Sequence, residues 1–149
     1  MQLITGSIVR GHGVASGCSN DERFPDGTLG LQWPFFMSMG LDLNRYYRAT
    51  INISVCPLRP EPVCALHTFR NIKWHPDCPA EDFSFFQVEL KLEDDRSVDG
   101  LIYWPHPETK PEHFQDPHVI EIMAPKIPEL SLGDKVTFLV NKSQMRFYK

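Results

Sequence analysis

Ala49-Thr50-Ile51-Asn52-Ile53-Ser54-Val55 is the stretch on which the fold reading turns. Apolar β-branched residues alternate strictly with polar ones, the period-2 pattern of a half-buried strand. Ile51, Ile53 and Val55 are predicted to face a core, and Thr50, Asn52 and Ser54 the opposite side. Similar short segments recur along the chain. We read strands near Leu3–Arg10, Thr28–Trp33, Arg48–Val55, Leu66–Lys73, Phe83–Leu92, Gly100–Trp104, Val119–Met123 and Lys135–Val140. Turn signals such as Pro25-Asp26-Gly27, Asp94-Asp95-Arg96 and Gly133-Asp134 separate them. Phe35–Tyr47 is the best place for a short helix. Many short strands at close spacing predict an all-β fold with a short helix at most, a small closed barrel or a sandwich.

The 149 residues suit one domain, read as 1–149. Apolar residues at 42% and charged residues at 23% are ordinary for a globular protein. A formal net charge of -4 provides no global basic field for a nucleic-acid backbone, so no nucleic-acid partner is expected. Met1–Gly6 lacks the basic flank and apolar run of a signal peptide, and no apolar stretch reaches the roughly 20 residues of a membrane span. The expectation is a soluble, cytoplasmic chain with no membrane partner. Four cysteines at this length read as reduced thiols. Cys64-Ala-Leu-His67 and His75-Pro-Asp-Cys78 have the residue types of a zinc site. A strand through Cys64 and His67 would turn them to opposite faces.

Three further segments carry chemistry. Gly11-His12-Gly13-Val14-Ala15-Ser16-Gly17 follows the first strand, and its small residues let backbone N–H groups approach an anion. A hairpin turn is the other reading. Thr50 and Asn52 offer a hydroxyl and an amide oxygen on one strand face, neutral ligands suited to a hard cation beside nucleotide phosphates. A merely solvated strand face is the alternative. Val119-Ile120-Glu121-Ile122-Met123 sets a carboxylate in an apolar strand, where it needs a donor, from a ligand or from the protein.

In order and spacing, these segments resemble the archaeal CTP-dependent riboflavin kinases. The matching elements are the Gly-x-Gly loop, Thr50-x-Asn52, Asp99-Gly100-Leu101-Ile102 leading to Pro105, Val119–Pro125, and the turn Leu130-Ser131-Leu132-Gly133-Asp134. The resemblance implies a six-stranded cradle-loop (RIFT-type) barrel that transfers the terminal phosphate of CTP to riboflavin, making FMN. It implies a nucleotide lying along Gly11, His12, Gly13, Val14, Ala15, Ser16 and Gly17, with Lys126 and Ile127 contributing after the Ala-Pro pair. It implies Mg²⁺ on Thr50 and Asn52, and flavin contacts from Thr109 and Glu121, the latter orienting the flavin hydroxyl or serving as its base. The implied partners are riboflavin or FMN and a cytidine nucleotide, with the protein a monomer or small homo-oligomer. If Glu121 binds flavin, Pro105–Pro117 is expected to form a lid, with Trp104, His106, His113 and Phe114 as aromatic surface to stack on the ring system. A simple cover for the barrel's open end is the other reading. The sequence departs from the family in Ala49, where a glycine is usual, and in Lys126-Ile127-Pro128-Glu129, where Leu-Arg is expected. The second departure motivates an alternative, a flavin- or nucleotide-binding barrel that has lost turnover.

Overall fold

The computed structural model describes residues 1–10, 28–109 and 116–149. Alternation builds its main body. Strands β1 (Gln2–Ile8), β2 (Ile51–Ser54), β5 (Glu81–Lys91), β6 (Ser97–Pro105), β7 (Val119–Met123) and β8 (Lys135–Val140) pair in the order β5-β6-β7-β2-β1-β8. The ring then closes, because β8 also pairs with β5 from Val88↔Val140 to Lys91↔Thr137. Every pairing is antiparallel, so the described residues form a closed six-stranded barrel with one α-helix added. Closure leaves no unpaired edge among these six strands.

Side chains from alternate positions fill the interior. Ile4, Ile53, Phe86, Val88, Leu90, Ile102, Ile120, Ile122, Val136, Phe138 and Val140 form one buried cluster. Two glycines let neighbouring strands close on it. A Cβ on Gly6 would lie 2.5 Å from both Ile53 Cγ2 and the Ser54 carbonyl oxygen, and one on Gly100 would lie 2.7 Å from the Met123 carbonyl oxygen. Neither position accepts a side chain without movement of the adjacent backbone.

The remaining strands are accessory. β4 (His67–Ile72) extends the sheet beside the first half of β5. β3 (Arg59–Pro62) and β9 (Met145–Tyr148) form a two-stranded ribbon, from which Met145 and Phe147 pack into the barrel core. The Gln2 side-chain amide both donates to the Phe147 carbonyl at 3.0 Å and accepts from the Phe147 N–H at 3.1 Å, tying the ribbon to β1.

Helix α1 (Thr28–Ser38) overturns the strand expected at Thr28–Trp33. The same residues that alternate also place Leu29, Trp33 and Phe36 at i, i+4 and i+7, and burial selects the helical period. This stripe packs on the outward faces of β4, β5 and β6, where Phe69, Phe83, Phe85, Leu101 and Tyr103 form a second core. Phe36 sits edge-on to Phe83 and Phe85 at centroid distances of 5.1 and 5.0 Å. The helix ends earlier than the expected Phe35–Tyr47 segment. Gly40 has φ of 100°, and the Leu41 N–H returns to the Phe36 carbonyl at 3.1 Å, a Schellman stop. Among the described residues, no helix is long and apolar enough to cross a membrane.

Candidate functional site

In β2, Ile53 turns inward and is fully buried, so Asn52 and Ser54 must face out of the barrel. In β7, Ile120 and Ile122 turn inward, so Glu121 faces out as well. The two strands are neighbours, and their register sets Asn52 directly opposite Glu121. Thr50 Oγ1, just before β2, donates to Glu121 Oε1 at 3.3 Å. Thr50, Asn52 and Glu121 thus lie together, half-buried, on the outer face, with the hydroxyl on the carboxylate.

The row continues one strand further. Tyr103 of β6 lies opposite Glu121 and is buried under α1, where its hydroxyl donates to Gln32 Oε1 at 2.5 Å. Burial pushes the Tyr103 phenol well above its usual range, the Glu121 and Glu81 carboxylates add to that, and the Gln32 bond opposes it. The phenol therefore remains a neutral donor at ordinary pH. Across three adjacent strands the row runs from hydroxyl and amide, through a carboxylate, to a phenol walled in by the helix. Tyr103 and Gln32 were not singled out from the sequence. The signal for Tyr103 was its place in Leu101-Ile102-Tyr103, where alternation sends it outward.

Two backbone features frame the row. The Val9 N–H donates to the Asn52 carbonyl at 2.9 Å, so the chain leading to position 11 leaves β1 beside Asn52. The turn expected at Gly133-Asp134 holds the other side of β1. Gly133, at φ of 87°, donates to the Ile8 carbonyl at 2.9 Å, and the Ile8 N–H reaches the Asp134 carbonyl at 2.8 Å. Gly11, His12, Gly13, Val14, Ala15, Ser16 and Gly17, read as the phosphate loop, lie outside the described residues. So do His113 and Phe114.

The other expected site residues take varied positions. Lys126 is exposed, with Nζ 5.4 Å from the centroid of the Tyr47 ring. Ile127 is half-buried against the barrel core, which leaves its backbone as the part best able to meet a ligand. Thr109 ends a single 3-10 turn, Pro107–Thr109. Its hydroxyl donates to the His106 carbonyl and accepts from the Asp82 N–H, both at 3.0 Å, so its proton serves the turn. Trp104 does not belong over Glu121. It packs inward beside Phe86 at a centroid distance of 6.5 Å, because adjacent strand residues point to opposite faces and Tyr103 takes the outward one. His106 is held between Ser84 Oγ at 2.7 Å and Glu108 Oε1 at 3.2 Å.

The zinc arrangement of Cys64, His67, His75 and Cys78 does not form. Among the described residues, no three His, Cys, Asp or Glu side chains group as metal ligands. Cys78 is buried under α1 in the outer core, Cys64 is exposed, and the His67 ring stacks on Phe69 at 5.9 Å. No family model matches the chain, and no curated protein matches it.

Proposed function

We propose that this barrel transfers the terminal phosphoryl group of a nucleoside triphosphate, CTP by the resemblance, to riboflavin, with Mg²⁺ as cofactor. The observation that carries the reading is the meeting of Thr50, Asn52 and Glu121. Family resemblance assigns the first two to the metal and the third to the flavin, and they come together from strands far apart in sequence. Phosphoryl transfer requires little covalent chemistry from a protein. It requires that donor and acceptor be aligned and that developing charge be neutralised.

The donor set fits magnesium. A hydroxyl and an amide oxygen are hard, neutral ligands, and a carboxylate stands next to them. Bound there with the triphosphate, the ion supplies charge to offset that of the phosphates. Thr50, just before β2, and Asn52, within it, would hold the ion and so orient the triphosphate bound to it. Glu121 accepts a hydrogen bond from the flavin's primary hydroxyl and can take its proton as the new P–O bond forms. Val9, two residues before the glycine segment 11–17, donates its N–H to the Asn52 carbonyl, and the resemblance assigns that segment's N–H groups to the phosphates. Tyr103 and α1 wall off the inner end of the row, excluding water from one side of Glu121.

The test is incubation of the protein with riboflavin, Mg²⁺ and ATP, CTP, GTP or UTP in turn, with FMN read by chromatography. FMN that depends on both protein and Mg²⁺ supports the reading. Absence of FMN with all four nucleotides refutes it. The second reading, a binding barrel without turnover, is favoured by the absence of arginine in Lys126-Ile127-Pro128-Glu129. It predicts a melting temperature that rises with riboflavin or CTP concentration while no FMN forms.

A further inference from the structure

The chain carries a net charge of -4, yet cations collect beside the site. Asn44-Arg45-Tyr46-Tyr47-Arg48 runs directly into Thr50, and the Tyr47 N–H donates to the Ala124 carbonyl at 2.9 Å. That bond sets this segment against Pro125 and Lys126, on the same two chain stretches that carry Asn52 and Glu121. Arg45, Arg48 and Lys126 are all exposed, and each cation lies over a ring. Arg45 is 5.6 Å from the Tyr46 centroid, Arg48 5.3 Å from that of Trp33, and Lys126 5.4 Å from that of Tyr47. Arg70, Arg96 and Arg146 are each paired with a carboxylate, on Asp82, Glu129 and Glu61. Among the described residues, Arg45, Arg48 and Lys126 form no such pair. Among the described residues, their charge lies against aromatic surfaces and meets no carboxylate.

We infer that Arg48 and Lys126 grip the phosphates of the nucleotide and that Tyr47 stacks on its base. The inference rests on the reading of Thr50 and Asn52 as ligands of the triphosphate's magnesium. Tyr47 is 52% exposed, and its position is kept by the backbone bond to Ala124 and the cover of Lys126. Arg48 and Ala49 bend between it and Thr50, and three residues of chain span at most about 10 Å. A ligand touching both carries a planar group and a metal-binding anion within that reach. A nucleoside triphosphate meets that description, whereas a free phosphate or a flavin alone does not. Base stacking on an aromatic side chain is strong and tolerant of base identity. The arrangement also supplies positive charge without the arginine that the Ala-Pro segment lacks. Part of it comes from the other strand.

Calorimetric titration of CTP and of inorganic tripolyphosphate, each with Mg²⁺, tests the inference. Tyr47→Ala is expected to weaken CTP about tenfold and to leave tripolyphosphate within about twofold. Arg48→Gln and Lys126→Gln are expected to weaken both ligands severalfold, with the loss shrinking as NaCl is raised. Arg146→Gln, at a distant ion pair, is the control and should change neither. Arg48 also covers Trp33, so a melting curve accompanies each variant, and Lys126→Gln carries the charge test if Arg48→Gln unfolds. CTP affinity unchanged in Tyr47→Ala and Lys126→Gln overturns the inference, as does a wild-type protein that binds no nucleoside triphosphate. Losses of binding in these variants with no FMN formed would sink the kinase reading and keep the nucleotide anchor. FMN formed with a KM for CTP that none of the variants moves would do the reverse.

Discussion

Tyr103→Phe isolates the bond that joins the helix to the row of site residues. The ring stays, so its contacts with Phe36, Phe83 and Phe85 stay, and only the hydroxyl is lost. Gln32 is 2% exposed, and its Oε1 loses the donor now 2.5 Å away. A buried acceptor left without its partner costs about 1–3 kcal/mol. At this chain length that corresponds to roughly 2–12 °C in Tm. Gln32→Leu added to Tyr103→Phe removes both polar groups and should recover most of the loss. A second consequence appears in alkali. The folded pKa of Tyr103 is raised above the unfolded value of about 10, so its contribution is fully present below about pH 10 and is lost as pH rises toward the folded value. The slope is about 1.4 kcal/mol per pH unit in that window. Urea unfolding at pH 7 and at steps up to pH 11 reads both effects. Wild type should lose stability above about pH 10 more steeply than the variant, since every other titrating group is common to the two. A variant as stable as wild type at pH 7, with a parallel alkaline profile, would show that the bond does not tie α1 to the barrel.

Three other perturbations follow from the same geometry. Asn52→Ala, at a half-buried outward position, should lower FMN formation by at least about a hundredfold. Its urea midpoint should stay near wild type, and unchanged turnover would mean that the cation is held elsewhere. Glu121→Gln keeps the shape beside Thr50 and removes the charge, so riboflavin turnover should fall by about a hundredfold or more. A large drop in Tm with riboflavin affinity intact would instead make Glu121 a structural partner. Gly100→Ala forces a Cβ to within 2.7 Å of the Met123 carbonyl oxygen, and opening β6 from β7 should cost about 1–3 kcal/mol by chemical denaturation.

Where a strand alternates without interruption, the sequence reading and the structure agree closely. Val119–Met123 and Lys135–Val140 match β7 and β8 residue for residue. Barrel closure was legible only as a class, because nothing in β8 announces that β5 will be its second neighbour. The failure at Thr28–Trp33 has a physical cause. Leu29, Leu31 and Trp33 alternate as a strand would, and Pro34 argues against a helix interior. What decided the matter was the apolar outer face of β5, ready to bury Leu29, Trp33 and Phe36 together. β3 was missed because Arg59-Pro60-Glu61-Pro62 has two residues without a backbone donor, tolerable only in a ribbon. At the site, resemblance pointed to Thr50, Asn52 and Glu121 one by one, and strand register brings them together. Trp104 was assigned to a lid on aromatic character alone, although alternation from Tyr103 already turned it inward.

The pairing of β1 with β8 has a kinetic side. Thr5 and Thr137 touch through their hydroxyls across 132 residues of chain, and Thr50 and Glu121 across 71. During synthesis at about 5–20 residues per second, β1 emerges early and must wait for β8 before its outer hydrogen bonds can form. The β4–β5, β5–β6 and β6–β7 pairs are local enough to assemble first, while the long-range contacts of β1 and β2 make folding slow. The row of Thr50, Asn52, Glu121 and Tyr103 is complete only once β2 has joined β7. Under the proposed function, a ligand therefore has no row to hold in a chain that stops before β7, and can draw the folding equilibrium only through the assembled strands.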